Sequence, residues 1–137
     1  MSDDAGFLLD TNILSDLIRY GREGRVASAL AERDAEVATS IVVAAEIRYG
    51  VARKNSKRLA ERAEVVLAAI TILPFGTPAD RHYGEIRALL ERAGTPIGPN
   101  DLMIAAQCRA LGLTLVSASL DEFRRVPGLR VENWLTA

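Results

Sequence analysis

Three carboxylates stand where the neighbouring residues are apolar. Asp10 closes the run GFLLD, Glu46 interrupts ATSIVVAAEIRYG, and Asp101 lies near the start of GPNDLMIAAQ. Each has a local role open to it. Asp10 can cap a helix beginning at Thr11. Glu46 can turn to solvent. Asp101 can sit in the first turn of a helix, where the dipole favours an acid. Glu46 is the hardest to accommodate in this way, because Val42 and Val43 lie one helical turn before it and Tyr49 and Gly50 one turn after. An ionised acid among apolar groups is costly unless a positive charge or a hydrogen-bond network receives it. Carboxylates that converge repel one another and need protons or a cation. An all-oxygen set suits a hard ion, Mg²⁺ or Mn²⁺. Such ions act on phosphates, where they activate water and neutralise charge on a phosphodiester.

Bringing three distant carboxylates together requires a particular arrangement of elements. GFLLD reads as a short buried strand, followed by a helix in TNILSDLIRYG with Ile13, Leu14, Leu17 and Ile18 on one face and Gly21 as its stop. A second helix runs through GRVASALAER, then a strand in EVATS and a helix in IVVAAEIRYGVAR. SKRLAERAEVVLAAI is a further helix with Ser56 as its cap, and TILPF a third strand. TPADRHYGEIRALLERAG opens with a cap and a proline in the first turn and ends at Gly94. GPNDLMIAAQCRALG repeats that punctuation, with Pro99 near its start and Gly112 at its end. LTLVSAS and GLRVENW supply a fourth and a short fifth strand. Short apolar strands alternating with amphipathic helices predict an α/β fold, a mainly parallel sheet covered on both faces. In such sheets ligands bind outside the carboxyl ends of the strands, the edge where Asp10 falls.

The bulk properties narrow the function further. A chain of 137 residues, 49% hydrophobic and 26% charged, reads as one folded domain over residues 1–137. The net charge of -1 creates no whole-molecule attraction to nucleic acid, so any such binding needs a local basic patch. The lone Cys108 excludes an intramolecular disulfide and fits a reducing compartment. The lone His82 argues against a histidine-rich zinc site. VVLAAITILPF, the longest apolar run, falls well short of the ~20 residues of a membrane span, and the acidic start MSDDAG does not resemble a signal peptide. The expectation is a soluble cytoplasmic protein. No GxSxG, Walker or GxGxxG pattern occurs. An aspartyl phosphatase would want a second acid two residues after Asp10, where the chain has Asn12.

Basic residues gather in RYGVARKNSKRLAER: Arg48, Arg53, Lys54, Lys57, Arg58 and Arg62. They form either a solvated face or a patch that follows a phosphate backbone. Arg124, Arg125 and Arg130 are a second such candidate. Aromatic residues are scarce, so recognition of any nucleic acid would lean on shape and backbone rather than base stacking. Cys108 reads as a core thiol and His82 as a surface or helix-packing residue.

The ordered set LLDTNILSDLI, SIVVAAEIRYGV, GTPIGPNDLMIAAQCRALGLTLVS and EFRRVPGLRVENW, which spans nearly the whole chain, resembles the PIN-domain ribonucleases and more narrowly the VapC-type toxins of bacterial toxin–antitoxin pairs. The resemblance implies a three-layer α/β/α sandwich and a toxin that hydrolyses RNA phosphodiester bonds with Mg²⁺ or Mn²⁺. Asp10, Glu46 and Asp101 match the family's acidic metal-holding positions. Asn12 would orient Asp10. Arg48, Arg53, Lys54, Lys57 and Arg58 would then be the RNA-binding patch. Further implied are a VapB-type antitoxin, whose C-terminal segment often places an arginine in the acidic site, and a homodimer. One departure stands out. The family usually has Thr, any residue, then Asn or Asp after the fourth strand, whereas this chain has Ser117, Ala118 and Ser119. Serine is a poor ligand for a hard dication, so the chain is expected to hold one ion tightly and a second weakly or only with substrate. Asp121 and Glu122 lie close enough in sequence to substitute. The competing reading is a degenerate PIN domain that binds antitoxin or RNA without cleaving.

Overall fold

The structure, a computed structural model, describes residues 6–33 and 36–136. The reading of the extreme N-terminus, Met1–Ala5, lies outside the described residues. The chain forms β1 (Phe7–Leu9), α1 (Thr11–Tyr20), a 3₁₀ turn (Gly21–Glu23), α2 (Arg25–Ala31), β2 (Val37–Ser40), α3 (Ile41–Lys54), α4 (Lys57–Ala69), β3 (Thr71–Leu73), α5 (Ala79–Arg92), α6 (Pro99–Leu111), β4 (Thr114–Val116), α7 (Leu120–Phe123) and β5 (Val131–Glu132). The five strands pair in the order β3-β2-β1-β4-β5, and every pairing is parallel. β1 is central: Leu8 stands opposite Ala38 of β2 and Leu115 of β4, and Leu9 opposite Val116. Leu8, Leu9, Leu115 and Val116 are fully buried, as expected when helices cover both faces of a parallel sheet. The result is an α/β/α sandwich. α1 packs with α2, α3 and α4, while α5 and α6 pack on each other.

The helix ends follow from local chemistry. Asp10, Ser40 and Ser56 each accept a backbone N–H at the start of α1, α3 and α4. α1 stops at Gly21 with φ 54°, and α6 at Gly112 with φ 69°, a backbone region that favours glycine. α2 has Gly24 at its cap position and no side chain there to accept. Asp16 of α1 does so instead, its Oδ2 lying 3.1 Å from the Val26 N–H. A Cβ on Gly24 would stand 2.6 Å from that same oxygen, so the missing side chain makes room for the borrowed cap. The expected cap of α5 is not formed: Pro78, which carries no acceptor, occupies that position. The 3₁₀ turn and α7 are additions to the expected elements.

The sheet order creates the site. The chain leaves β1 for β2 on one side and pairs β4 with β1 on the other. The carboxyl ends of β1 and β4 therefore frame a crevice at a topological switch point, with Asp10 following one strand and Ser117 the other.

A candidate active site at the carboxyl edge of the sheet

Asp10 is only 4% exposed. Its Oδ1 accepts the Thr11 N–H at 2.8 Å and its Oδ2 the Ser117 hydroxyl at 2.7 Å. Ser117 Oγ in turn accepts the Ser119 N–H at 3.0 Å. Burial pushes the Asp10 carboxyl above the usual range. The Ser117 and Thr11 bonds oppose that rise, and the charges of Glu46 and Glu122 add to it. Asn12 acts one step further out than a direct partner of Asp10: its Oδ1 accepts the Ala118 N–H at 3.1 Å. It thereby fixes the loop between Ser117 and Ser119.

Glu46 is half-buried, facing away from the core side of α3, where Val43 and Ile47 are buried. Thr11 donates its hydroxyl to Glu46 Oε1 at 2.5 Å, and Asn100 donates its amide to Oε2 at 3.2 Å. These bonds answer why an acid is tolerated in this stretch. Thr11 thus bonds two carboxylates, one through its backbone and one through its side chain. Asp101, in the first turn of α6, is half-buried. Its carboxyl is pushed up to about 6, first by desolvation, then by the charges of Asp10, Glu122 and Glu46, with a hydrogen bond to Glu122 as a further contribution. Glu122 sits on α7 and feeds the electrostatics of both Asp10 and Asp101.

Glu46 and Glu122 therefore act on both Asp10 and Asp101 at this edge, and Asp10 acts on Asp101. Among the described residues, no three or more His, Cys, Asp or Glu side chains stand close enough as they are to hold one ion. The donor set is coupled but open. Its chemistry fits a hard divalent cation: all oxygen, anionic, and destabilised by its own repulsion. The hydroxyl of Ser119 has no hydrogen-bond partner among the described residues. Thr11, Asn100 and Glu122 stand beside the predicted acids without having been singled out as site residues. Thr11 and Asn100 are sequence neighbours of Asp10 and Asp101, and that adjacency was the available signal.

The basic residues separate into distinct environments. Arg48 is ion-paired with Glu64, and Arg53 lies over the Tyr49 ring with its guanidinium carbon 5.9 Å from the centroid. Lys54 and Arg58 line an open groove, and Lys57 is exposed at the first residue of α4. Near the C-terminus, Arg125 donates to the Pro96 carbonyl and Arg130 to that of Gly112, while Arg124 is exposed. His82 Nδ1 accepts the Arg109 guanidinium at 2.8 Å, a contact between α5 and α6. Cys108 is fully buried and its thiol is pushed up by that burial.

A family model described as PIN domain matches residues 7–129. The chain is 37% identical over 130 residues to ribonuclease VapC2 of Haemophilus influenzae, covering 94% of this chain and 98% of that protein. It is 34% identical over 129 residues to the tRNA(fMet)-specific endonuclease VapC of Salmonella typhimurium, covering 93% and 97%. Among solved structures, VapBC2 from Rickettsia felis bound to a DNA fragment from its promoter matches with a TM-score of 0.87 and 33% identity, over 95% of this chain and 99% of that one.

Proposed function

The chain belongs to the PIN-domain family, and from that premise we propose that it is the toxin of a toxin–antitoxin pair, an endoribonuclease that hydrolyses RNA phosphodiester bonds with Mg²⁺ or Mn²⁺. The observation that carries the reading is the convergence of Asp10, Glu46, Asp101 and Glu122 at the switch-point edge, where Glu46 and Glu122 raise the cost of ionising Asp10, and all three raise that of Asp101. Near-full-length likeness to ribonucleases named VapC and to VapBC structures supports it. In this reading the whole chain, residues 1–137, acts as one PIN domain in the cytoplasm. Its partners are a VapB-type antitoxin and a second copy of itself. No helix among the described residues is long and apolar enough to cross a membrane.

Asp10, Glu46 and Asp101 would hold the cation, with Glu122 supplying the carboxylate that Ser119 lacks. A divalent ion bound there supplies positive charge to the phosphate and makes water more acidic. The protein's own groups supply position. The Ser117 hydroxyl and the Thr11 N–H aim Asp10 and oppose the rise that its burial causes. Thr11 and Asn100 hold the two oxygens of Glu46. Asp101, whose carboxyl is pushed up to about 6 by desolvation and by its acidic neighbours, would give up its proton as the cation arrives.

The test is cleavage of total RNA by antitoxin-free protein, with Mg²⁺ or Mn²⁺ and with EDTA, beside Asp10→Asn. The expected result is discrete fragments that require the ion and vanish in the variant while its thermal melt stays cooperative. Cleavage by Asp10→Asn at the parental rate overturns the site. Folded, metal-loaded protein that cuts no RNA points to the degenerate reading.

A further inference from the structure

The cleft beside Glu46 does not end there. Thr11 and Glu46 stand at one end of a cleft between α1 and α3 that also reaches Arg19 and Lys54. From Arg19 and Lys54 it continues into an open groove of about 350 Å³, floored by Ile18 and Leu59 and rimmed by Arg19, Lys54, Arg58 and Arg62. Both helices start at carboxyl ends of adjacent parallel strands, β1 and β2, so both run away from the site in the same general direction. Arg19 lies eight residues beyond Thr11, and Lys54 eight beyond Glu46. At 1.5 Å per residue each cation is about 12 Å further along its helix. α4 then turns back after Asn55 and places Arg58 and Arg62 in its first turns beside them. Among the described residues none of these four cations makes an ion pair. Arg48 of the same basic stretch, by contrast, is neutralised by Glu64.

We propose that Arg19, Lys54, Arg58 and Arg62 hold the phosphate backbone of the RNA strand running from the scissile bond, along the groove between α1, α3 and α4. The inference rests on the nuclease reading of the acidic site. Unpaired cations grouped in one groove are an electrostatic footprint for a polyanion. The molecule needs such a footprint because its net charge of -1 gives no general attraction. A backbone of repeated phosphates also meets the other end of the groove, where the acidic centre would receive one of them on a cation. A peptide made of acidic residues alone has no such complement there. The apolar floor suits sugar faces and base edges without selecting a sequence.

The experiment measures binding of a fluorescent single-stranded RNA in EDTA across a salt series. It compares the parent, the variant Arg19→Gln/Lys54→Gln/Arg58→Gln/Arg62→Gln, and Arg92→Gln as a control outside the groove. Metal-dependent cleavage by the parent is run alongside, and thermal melts check folding. A double variant, Lys54→Gln/Arg58→Gln, repeats the test with less change. Each phosphate contact to a single strand contributes about 0.7 to the salt slope, so the fourfold variant should lose about 3 from it, with affinity down at least tenfold near 0.1 M salt. The double variant should lose about half that slope, and Arg92→Gln none. If the parent cleaves RNA but the fourfold variant keeps the parental slope, the proposal is overturned while the nuclease reading stands. Loss of a short polyglutamate peptide in that variant, with RNA binding intact, would likewise overturn it and assign the groove to an acidic protein segment. A parent that neither cleaves nor binds RNA removes the nuclease reading and the proposal with it.

Discussion

At the scale of single residues, the site is a set of acids held apart from ready partners by hydrogen-bond donors. Glu46 shows how this is balanced. Its charge raises the cost of ionising Asp10 and Asp101, yet both its oxygens are occupied, by Thr11 and Asn100. Glu46→Gln keeps the shape and one acceptor for Thr11. The new amide can face Asn100 once that side chain flips to present its oxygen. The variant therefore sheds repulsion at small hydrogen-bonding cost. Its melting temperature in EDTA should exceed the parent's by about 2–4 °C, the shift for roughly 1 kcal/mol in a domain of this size. On the proposed function its RNA cleavage should be lost. A melting temperature below the parent's in EDTA would mean that the hydrogen bonds outweigh the repulsion. The three predicted acids were legible because each sits against apolar neighbours. Thr11 and Asn100 were not singled out, because a threonine or asparagine beside an acid reads as ordinary helix-start chemistry until a partner from another element comes into reach.

At the scale of elements, the sequence marks its helices with caps and glycines, and those marks act locally. The starts of α1 and α4 and the stops of α1 and α6 were therefore readable from Asp10, Ser56, Gly21 and Gly112. Elements fixed by distant contacts were less readable. α2 borrows its cap from Asp16, and α7 is one short turn held by the buried Phe123. The sheet order is likewise invisible locally, and it alone brings Ser117 to Asp10 across 107 residues of chain. α6, which carries Asp101, is tied to the end of β3 by Gln107, whose amide donates to the carbonyls of Leu73 and Pro74 at 3.2 and 3.0 Å. Gln107 is buried, and its own Oε1 has no partner among the described residues. Gln107→Ala removes both bonds and leaves a void, so it should destabilise by about 2–4 kcal/mol. Gln107→Leu refills the volume and also removes the orphaned oxygen, and should recover part of that loss. Urea midpoints for both variants measure the difference. A loss below about 0.5 kcal/mol for Gln107→Ala would mean that Gln107 does not hold α6 to the sheet.

At the scale of the whole molecule, the acidic edge is a stability cost that pH and a cation should both relieve. In the folded protein Asp101 is pushed up to about 6 from 3.8, and Asp10 is raised as well. The folded state thus binds more protons than the unfolded chain between those values. Stability then falls as pH rises from about 4 through about 6, because its slope with pH follows the excess of protons on the unfolded state, here negative. Below about 4 both states are protonated and the penalty is absent; above about 6 it is complete. Other carboxylates titrate in the same window and can tilt the parent's curve either way. The informative quantity is therefore the difference between the parent and Asp101→Asn, which lacks this titration. In metal-free buffer the variant should gain stability relative to the parent as pH goes from 4 to 7. On the proposed function Mn²⁺ binds the ionised form, so at neutral pH it should restore the parent, by about 2.7 kcal/mol at a hundredfold excess over its dissociation constant. It should restore Asp101→Asn much less. Calorimetric melts at pH 4 and pH 7, with and without Mn²⁺, read both effects. If the metal-free parent and Asp101→Asn run parallel across that range, the raised pKa of Asp101 is refuted. If they diverge but Mn²⁺ stabilises both equally, the repulsion is real and the cation is held by other groups.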